Sequence, residues 1–401
     1  MGRRRPGGLR RGPSCRVIIA LTAICLIAAA YQLVALTATT DHFLLPRGDV
    51  VPGPRPRVSI LKPMYGADAH LYEALRSHAL QEYPQFEILF GVRSLDDPAV
   101  PLIEQFFQEF PALDARLIVA TTQAPNIKVG TLIDLAAQAR HAIFVVNDGD
   151  IIVPRRWLRD VTGPLRNPRI GVVTCLYRAV GNTLPARFEA LGIATDFAPS
   201  ALVAPFVGIS EFGLGSTLAF RRADLEAIGG FAAIAPYLAD DYQLGAQIHR
   251  LGRRNVMSRV VVETHLGAAT WRDAWEHQVR WARTIRLSRA AYAGLPITHA
   301  TLWALAAAAC GAWRLAIPLF VLRMIVAFAA GWFALRSKDV LIFCWLIPFR
   351  DLWGTAVWAA GLFGNTVRWR DRMLTLDKRG RIIDQKAGVR DQGSGVRRAQ
   401  R

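Results

Sequence analysis

The segment Ala142-Ile-Phe-Val-Val-Asn-Asp-Gly-Asp150 carries an unbroken apolar run straight into two carboxylates two residues apart. Consecutive apolar residues with no polar alternation predict a strand buried on both faces over 143–146. The same unit recurs upstream. Val58-Ser-Ile-Leu61 precedes a helical period over 71–81, Phe86-Glu-Ile-Leu-Phe-Gly-Val92 precedes one over 100–110, and the apolar run 115–120 precedes one over 129–139. Strand and helix alternating on short connections specify an α/β domain, Rossmann-like, with a mostly parallel sheet covered by helices on both faces. Ligands of such sheets bind beyond the carboxyl ends of the strands. That rule selects Lys62, Asp96, Asp97 and, above all, Asn147-Asp148-Gly149-Asp150.

The chain around this domain is apolar and basic. Its 401 residues are 52% hydrophobic and 20% charged, which excludes global disorder and leaves room for two or three organisational units. Of the net charge of +18, residues 1–16 supply six Arg and no acid, and residues 366–401 supply 11 Lys/Arg against four Asp, so only +5 is left for the body between them. Basic tails beside apolar spans read as topology determinants or contacts for anionic lipid, and the nucleic-acid reading falls away. The five cysteines are scattered through apolar runs and fit neither a disulfide framework nor a zinc site.

Residues 17–36 run for 20 positions without a charge, enough to cross the roughly 30 Å hydrocarbon core as a helix. The run is longer than the apolar region of a cleaved signal peptide, so 17–40 is expected to be an uncleaved transmembrane anchor behind a basic tail, 1–16. Residues 41–56, with Pro46, Pro52, Pro54 and Pro56, read as a linker. The α/β domain follows over 57–265, then an amphipathic interfacial helix over 266–295. Residues 296–365 are expected to hold two or three membrane segments, broken at Arg314, Arg336-Ser-Lys338 and Arg350-Asp351. The last basic tail, 366–401, has the composition of a disordered segment.

Asp148 and Asp150 stand where the chain leaves the sheet, and their hard oxygens suit Mg²⁺ or Mn²⁺ shared with a diphosphate. Gly149 lets the backbone approach such a ligand closely. Taken alone, the pattern fits a solvated turn equally well. A second acidic site, Ala239-Asp240-Asp241-Tyr242, opens a helical stretch over 243–251. A carboxylate there either caps the helix or, facing a cleft, takes a proton from an attacking hydroxyl. His277-Gln-Val-Arg-Trp281 lies on a helix that also carries Arg283, Arg286 and Arg289, with Trp271 and Trp275 nearby. Such a stripe suits a bilayer surface or a diphosphate, and Arg280 is the expected anion contact. The Gly-rich Gly213-Leu-Gly-Ser-Thr217 between the two sites has weak specificity on its own.

Six stretches stand in a fixed order: Val58-Ser-Ile-Leu-Lys-Pro63, Asp96-Asp-Pro98, Asn126-Ile-Lys-Val129, Val173-Thr-Cys-Leu-Tyr177, Leu238-Ala-Asp-Asp-Tyr242 and Arg280-Trp-Ala-Arg-Thr-Ile-Arg286. The set resembles the inverting nucleotide-sugar glycosyltransferases of the processive-synthase superfamily. It is most similar to ceramide glucosyltransferases and the bacterial hopanoid-associated glycosyltransferases that look like them. The resemblance implies a glycosyltransferase domain over 57–265, flanked by transmembrane helices. Within it, Lys62, Asp96 or Asp97, Lys128, Asp148, Arg280 and Trp281 would bind a UDP-sugar donor. Asp148 and Asp150 would serve Mg²⁺ or Mn²⁺, and Asp241 would be the catalytic base. Asp240 and His277 are left to the acceptor or to support. His277 stands where the family pattern has its first Gln, which argues against a processive polysaccharide synthase.

The implied reaction moves one sugar, N-acetylglucosamine or glucose, from its UDP-sugar to the hydroxyl of a membrane lipid, a hopanoid polyol or ceramide. A single direct displacement inverts the anomeric carbon, and no residue stands out as the nucleophile that retention would need. Two other readings stay open: a polysaccharide synthase or polyprenyl-phosphate sugar transferase, and a membrane scaffold without catalysis. The resemblance also implies a multi-pass protein of the bacterial inner (cytoplasmic) membrane. Arg-rich residues 1–16 and a single crossing would put the sugar domain outside, whereas UDP-sugar chemistry requires it to face the cytoplasm, and the chemistry takes precedence.

Overall fold

Side-chain parity along the strands builds the core. The computed structural model describes residues 15–44, 53–267, 270–288, 290–369 and 372–387. Helix α1 (Cys15–Leu44) leads to β1 (Val58–Pro63), α2 (Leu71–Ala79), β2 (Phe86–Val92), α3 (Val100–Glu109), β3 (Ala115–Val119), α4 (Ile127–Gln138) and β4 (Ile143–Val146). Next come α5 (Trp157–Thr162), β5 (Ile170–Gly181), α6 (Leu184–Gly192), α7 (Ala198–Phe206), β6 (Leu218–Arg221), α8 (Arg222–Ala227), α9 (Asp240–Arg250) and β7 (Arg254–Leu266). The strands line up as β3-β2-β1-β4-β6-β5-β7, parallel except that β6 runs against both its neighbours. This is the mostly parallel, helix-covered sheet that the sequence implies. Because successive side chains point to opposite faces, Ile60, Phe90 and Val145 pack with Phe106 and Trp157 on one side. Leu61, Leu89, Phe144 and Val146 pack with Leu132, Leu135, Leu244 and Ile248 on the other.

Local chemistry sets where helices start. Asn126 caps α4 by accepting the Val129 N–H at 3.3 Å, and Thr183 caps α6 ahead of Pro185. The carboxyl ends of β1, β4, β5 and β7 meet on one edge, joined there by the start of the reversed β6. Lys62, Lys128, Asp148, Asp240 and Asp241 gather along that edge.

Beyond β7 the chain continues as α10 (Trp271–Ser288), α11 (Ala300–Ala309), α12 (Trp313–Phe328), α13 (Asp339–Ile342) and α14 (Ile347–Gly361). Three strands follow, β8 (Thr366–Trp369), β9 (Arg372–Leu376) and β10 (Ile382–Ala387).

Several boundaries differ from the expectation. Helix α1 runs into the expected linker, because His42 reaches the domain: its Nε2 lies 3.1 Å from the Ser258 carbonyl, and Arg259 Nε donates to the His42 carbonyl at 2.7 Å. Among the described residues two helices are long and apolar enough to cross a membrane, Arg16–Leu44 and Trp313–Ala334. The apolar run opening at Thr298 yields only α11, whose ten residues rise about 15 Å. Arg350-Asp351 does not break α14. Asp351 is buried there and accepts from Arg323 of α12 through both carboxylate oxygens, at 2.7 and 3.0 Å. Residues 366–387 are not a disordered tail: β8, β9 and β10 form an antiparallel sheet around Val367, Leu374, Leu376 and Ile382. Charged residues between these apolar positions gave the segment its disordered composition. Arg289, residues 1–14 and 388–401 of the tails, and 45–52 of the linker lie outside the described residues.

Candidate active site

Gly215 sits at the centre of the carboxyl edge, between two carboxylates from distant parts of the sequence. A Cβ built on it would lie 3.2 Å from Asp148 Oδ2, 3.4 Å from Asp241 Oδ2 and 3.8 Å from Lys128 Nζ. Its own N–H donates to Asp241 Oδ2 at 2.8 Å. Lys128, the second residue of α4, reaches Asp148 Oδ1 at 2.8 Å and Asp240 Oδ2 at 3.2 Å, so one ammonium joins the acids after β4 to those opening α9. Burial opposes its charge, but Asp148, Asp240 and Asp241 outweigh that and raise its pKa. Asn126 aims this helix by donating to the Tyr237 carbonyl at 2.9 Å, just ahead of the acids.

Asp241 Oδ1 accepts the N–H of Tyr242 at 2.7 Å. Burial, and then the neighbouring Asp240, push its carboxyl above the ordinary range. Asp150 is held from the far side by Thr264 of β7, whose hydroxyl donates to Oδ2 at 2.5 Å. Burial and then Asp148 raise its pKa as well. Lys62 is wholly buried under the turn. Its Nζ donates to the Asp148 carbonyl at 3.2 Å and Asn147 Oδ1 at 3.3 Å, and lies 3.4 Å from His78 Nε2. Burial lowers it to about 7 against the pull of Asp150 and Asp148. It braces the turn from beneath.

The first acidic pair splits. Asp97 Oδ1 accepts the N–H groups of Gly66 and Ala99, each at 2.9 Å, tying the loop after β1 to the start of α3. Asp96 is exposed and bonds only locally to Ser94 among the hydrogen bonds seen. Neither carboxylate enters the Asp148–Lys128–Asp241 group.

Helix α10 lies across the same edge, packed on α6 and α14. Trp281 stands with its ring centroid 6.5 Å from that of Tyr177 on β5 and 6.3 Å from that of Phe197. His277, one turn earlier, is 4.8 Å from the Trp281 ring, and its Nδ1 lies 2.5 Å from Glu189 Oε1 on α6. Arg280 is half-buried between them in sequence. Burial, followed by the charges of Glu189, Asp241, Asp148 and Asp150, drives the Tyr177 phenol well above its ordinary pKa, which puts it within electrostatic reach of both acid groups.

Asp148 and Asp150, with one oxygen of each held by Lys128 and by Thr264, are carboxylate donors of the kind hard divalent cations take. Asp148 and Asp150 supply carboxylate oxygens at the mouth of the edge, and the bare Cα of Gly215 leaves a cradle that any Cβ would fill. His70, Glu73 and His265 form a second convergence outside the expected ligands, with ligand atoms within 4.8 Å of one another. Gly215, Thr264, Glu189 and Tyr177 were not named from the sequence as site residues. Of these, Gly215 stood in a noted Gly-rich stretch and Tyr177 in a quoted motif, whereas Thr264 and Glu189 carried no local signal.

Comparisons with known proteins agree with this architecture. The profile of glycosyl transferase family 21 matches residues 20–382. Ceramide glucosyltransferase 1 of Caenorhabditis elegans is 26% identical over 223 residues, covering 54% of this chain and 47% of that protein. Ceramide glucosyltransferase 3 of the same organism is 22% identical over 351 residues, covering 82% of this chain and 75% of that protein. The chain thus spans about half the length of the first relative and three quarters of the second. A solved mannosyltransferase from Pyrobaculum calidifontis, in complex with GDP-Man and Mn²⁺, superposes with a TM-score of 0.52 at 21% identity, over 86% of this chain and 97% of that one, a likeness of fold. The family match takes in the whole seven-stranded sheet, both acid groups and the Arg-Trp helix, and the chain therefore belongs to glycosyl transferase family 21.

Proposed function

We propose that this chain transfers a single sugar from a UDP-sugar to the hydroxyl of a membrane lipid, with inversion at the anomeric carbon. The observation that carries the reading is the clasp around Gly215, where the carboxylate after the buried strand and the carboxylate opening α9 face one another across a backbone with no side chain. Donor and acceptor chemistry meet there. Asp241, held by the N–H groups of Gly215 and Tyr242, accepts the proton of the acceptor hydroxyl as its oxygen bonds to the anomeric carbon. The carbon–oxygen bond to the diphosphate breaks in the same step, and its electron pair leaves on the nucleotide. Arg280, with Trp281 beside it, meets that charge, and Asp96 or Asp97 contacts the nucleotide.

Asp148 and Asp150 would hold Mg²⁺ or Mn²⁺, which supplies Lewis-acid stabilisation of the leaving diphosphate. The mannosyltransferase of similar fold was solved with Mn²⁺. Lys128 keeps Asp148 and Asp240 in register, and Lys62 and Thr264 brace the turn from below and behind.

A lipid acceptor is supported by the ceramide glucosyltransferase relatives and by the two apolar helices packed on the domain. A hopanoid polyol with an N-acetylglucosamine donor is the preferred pair, with ceramide and glucose second. The domain would face the cytoplasm of a bacterial inner membrane, with the basic tails on anionic lipid. Membranes carrying the protein, incubated with labelled UDP-glucose or UDP-N-acetylglucosamine and either Mg²⁺ or EDTA, test this by mass analysis of extracted lipids. A lipid carrying one sugar, formed by wild type and not by Asp241→Asn or in EDTA, is expected. Polymer or polyprenyl-linked product would move the function to a synthase, and no transfer to any supplied lipid would leave a scaffold.

A further inference from the structure

Glu189 is 1% exposed, yet only one of its two carboxylate oxygens has a partner among the described residues. Oε1 meets His277 Nδ1 at 2.5 Å, and Oε2 is buried with nothing bonded to it. A buried carboxylate ordinarily accepts several hydrogen bonds, so this one has capacity left for a donor. Arg350 repeats the pattern: its Nε and Nη1 are buried without partners, and its guanidinium lies against Gly192, one turn beyond Glu189 on α6. Residual hydrogen-bonding capacity of both signs is thus concentrated along one face of α6.

The position of this couple gives it a use. On one flank stands an aromatic group, Phe188 with Trp271 and Trp353 at 5.3 and 5.6 Å, of the kind that lines the boundary between water and hydrocarbon. On the other flank His277 touches Trp281, which touches Tyr177 at the carboxyl edge. These contacts form one line from the aromatic group to the carboxyl edge. Glu189 holds the imidazole through Nδ1, which leaves Nε2 for the head.

We infer that the Glu189–His277 couple is the acceptor-head site, binding an O–H or N–H group that neighbours the hydroxyl receiving the sugar. The inference rests on the lipid-acceptor reading above and sharpens it to a chemical class. Glu189 Oε2 offers an acceptor and Arg350 Nε and Nη1 offer donors, so the head that fits carries both O–H or N–H donors and an oxygen acceptor, as a neutral polyol or amido alcohol does. Glu189 is a positioning residue for His277 as well as a ligand.

The test uses the full chain in nanodiscs with one UDP-sugar and three acceptors: a lipid polyol or amido alcohol, the same lipid lacking the neighbouring hydroxyl or amide, and a polyprenyl phosphate. Wild type, Glu189→Gln, His277→Phe and His277→Gln are compared by acceptor KM, donor KM and thermal midpoint. Glu189→Gln and His277→Phe should raise the acceptor KM about tenfold while donor KM holds within about twofold, because one hydrogen bond to the head is lost. His277→Gln, which keeps an amide oxygen acceptor, should recover most of the loss. The deleted lipid should be a poor acceptor for wild type and no worse for the variants. Unchanged acceptor KM in both Glu189→Gln and His277→Phe, or equal rises for donor and acceptor, overturns the inference while the function stands. A wild type that prefers polyprenyl phosphate overturns the head class and the lipid reading together.

Discussion

The base role proposed for Asp241 is taxed by its surroundings. Burial and the adjacent Asp240 disfavour its charged form, and the Lys128 ammonium and then the N–H of Tyr242 restore part of it. The proton must go to an ionised carboxylate, so kcat/KM should rise with pH through an acid limb whose midpoint lies above the ordinary Asp value of 3.8. Asp241→Asn should lower kcat by about 10² to 10⁴ and erase that limb. A pH profile of transfer checks both, and a limb at or below the ordinary value would remove Asp241 from the role. Gly215 gives a second prediction at this scale. In Gly215→Ala the new methyl meets two carboxylate ends at 3.2 and 3.4 Å, so the acids must spread. On the order of a tenfold fall in kcat/KM is expected with little change in melting temperature, since misplacement at a reacting centre is costly to rate alone. The Asp148-Gly-Asp150 half of the candidate site was legible because it follows a strand with no polar residue. Gly215 and Glu189 were not, because their meaning comes from contacts 26 and 88 residues away.

Strand β2 carries a different charge problem. Glu87 points between strands, fully buried, and accepts from Ser59 of β1, Arg116 of β3, and both the backbone and side chain of Arg140 ahead of β4. Burial raises its pKa, but these hydrogen bonds outweigh burial and hold the carboxyl at about 2, against 4.5 unfolded. A depressed folded pKa stabilises the native state fully above the unfolded value, and that stability is lost as pH falls from about 4.5 toward 2. The span corresponds to about 3 kcal/mol. Thermal midpoints in detergent should fall across that window, and Glu87→Gln should flatten the fall while lowering the midpoint at neutral pH. An unaltered slope in the variant would place the acid sensitivity elsewhere. Apolar spacing revealed these strands and helices to within a residue or two. It missed α1's last turn, which extends because His42 and Arg259 tie it to β7, a contact no local pattern encodes.

At the scale of the molecule, the small C-terminal sheet holds the pieces of the site in one frame. Ile382 N–H donates to the Pro236 carbonyl at 2.8 Å and Leu238 N–H to the Gly380 carbonyl at 3.2 Å, so the sheet's edge grips the segment that ends in Asp240 and Asp241. Gln385 donates to the Pro125 carbonyl at 2.7 Å, beside the cap of the helix that carries Lys128. Arg283 of α10 donates to the carbonyls of Phe363 and Thr366, and Arg286 to that of Gly364, fixing the helix of Arg280 and Trp281 to the same strands. Three elements from distant parts of the chain thus share one clamp, and each carries residues of the proposed site. Its sequence looked like a solvated basic tail because only four apolar side chains form its core, too few to stand out among the charges. Ile382→Asp puts a carboxylate into that core and should release the clamp without touching the seven-stranded sheet. Transfer should fall about tenfold or more, with faster proteolysis confined to residues beyond α14 and an unchanged far-ultraviolet helix signal. Should the strands become cleavable while kcat/KM holds, the frame is set by α10 and α14 alone; a joint loss makes the clamp the device that brings donor cation, base and Arg-Trp helix to one register.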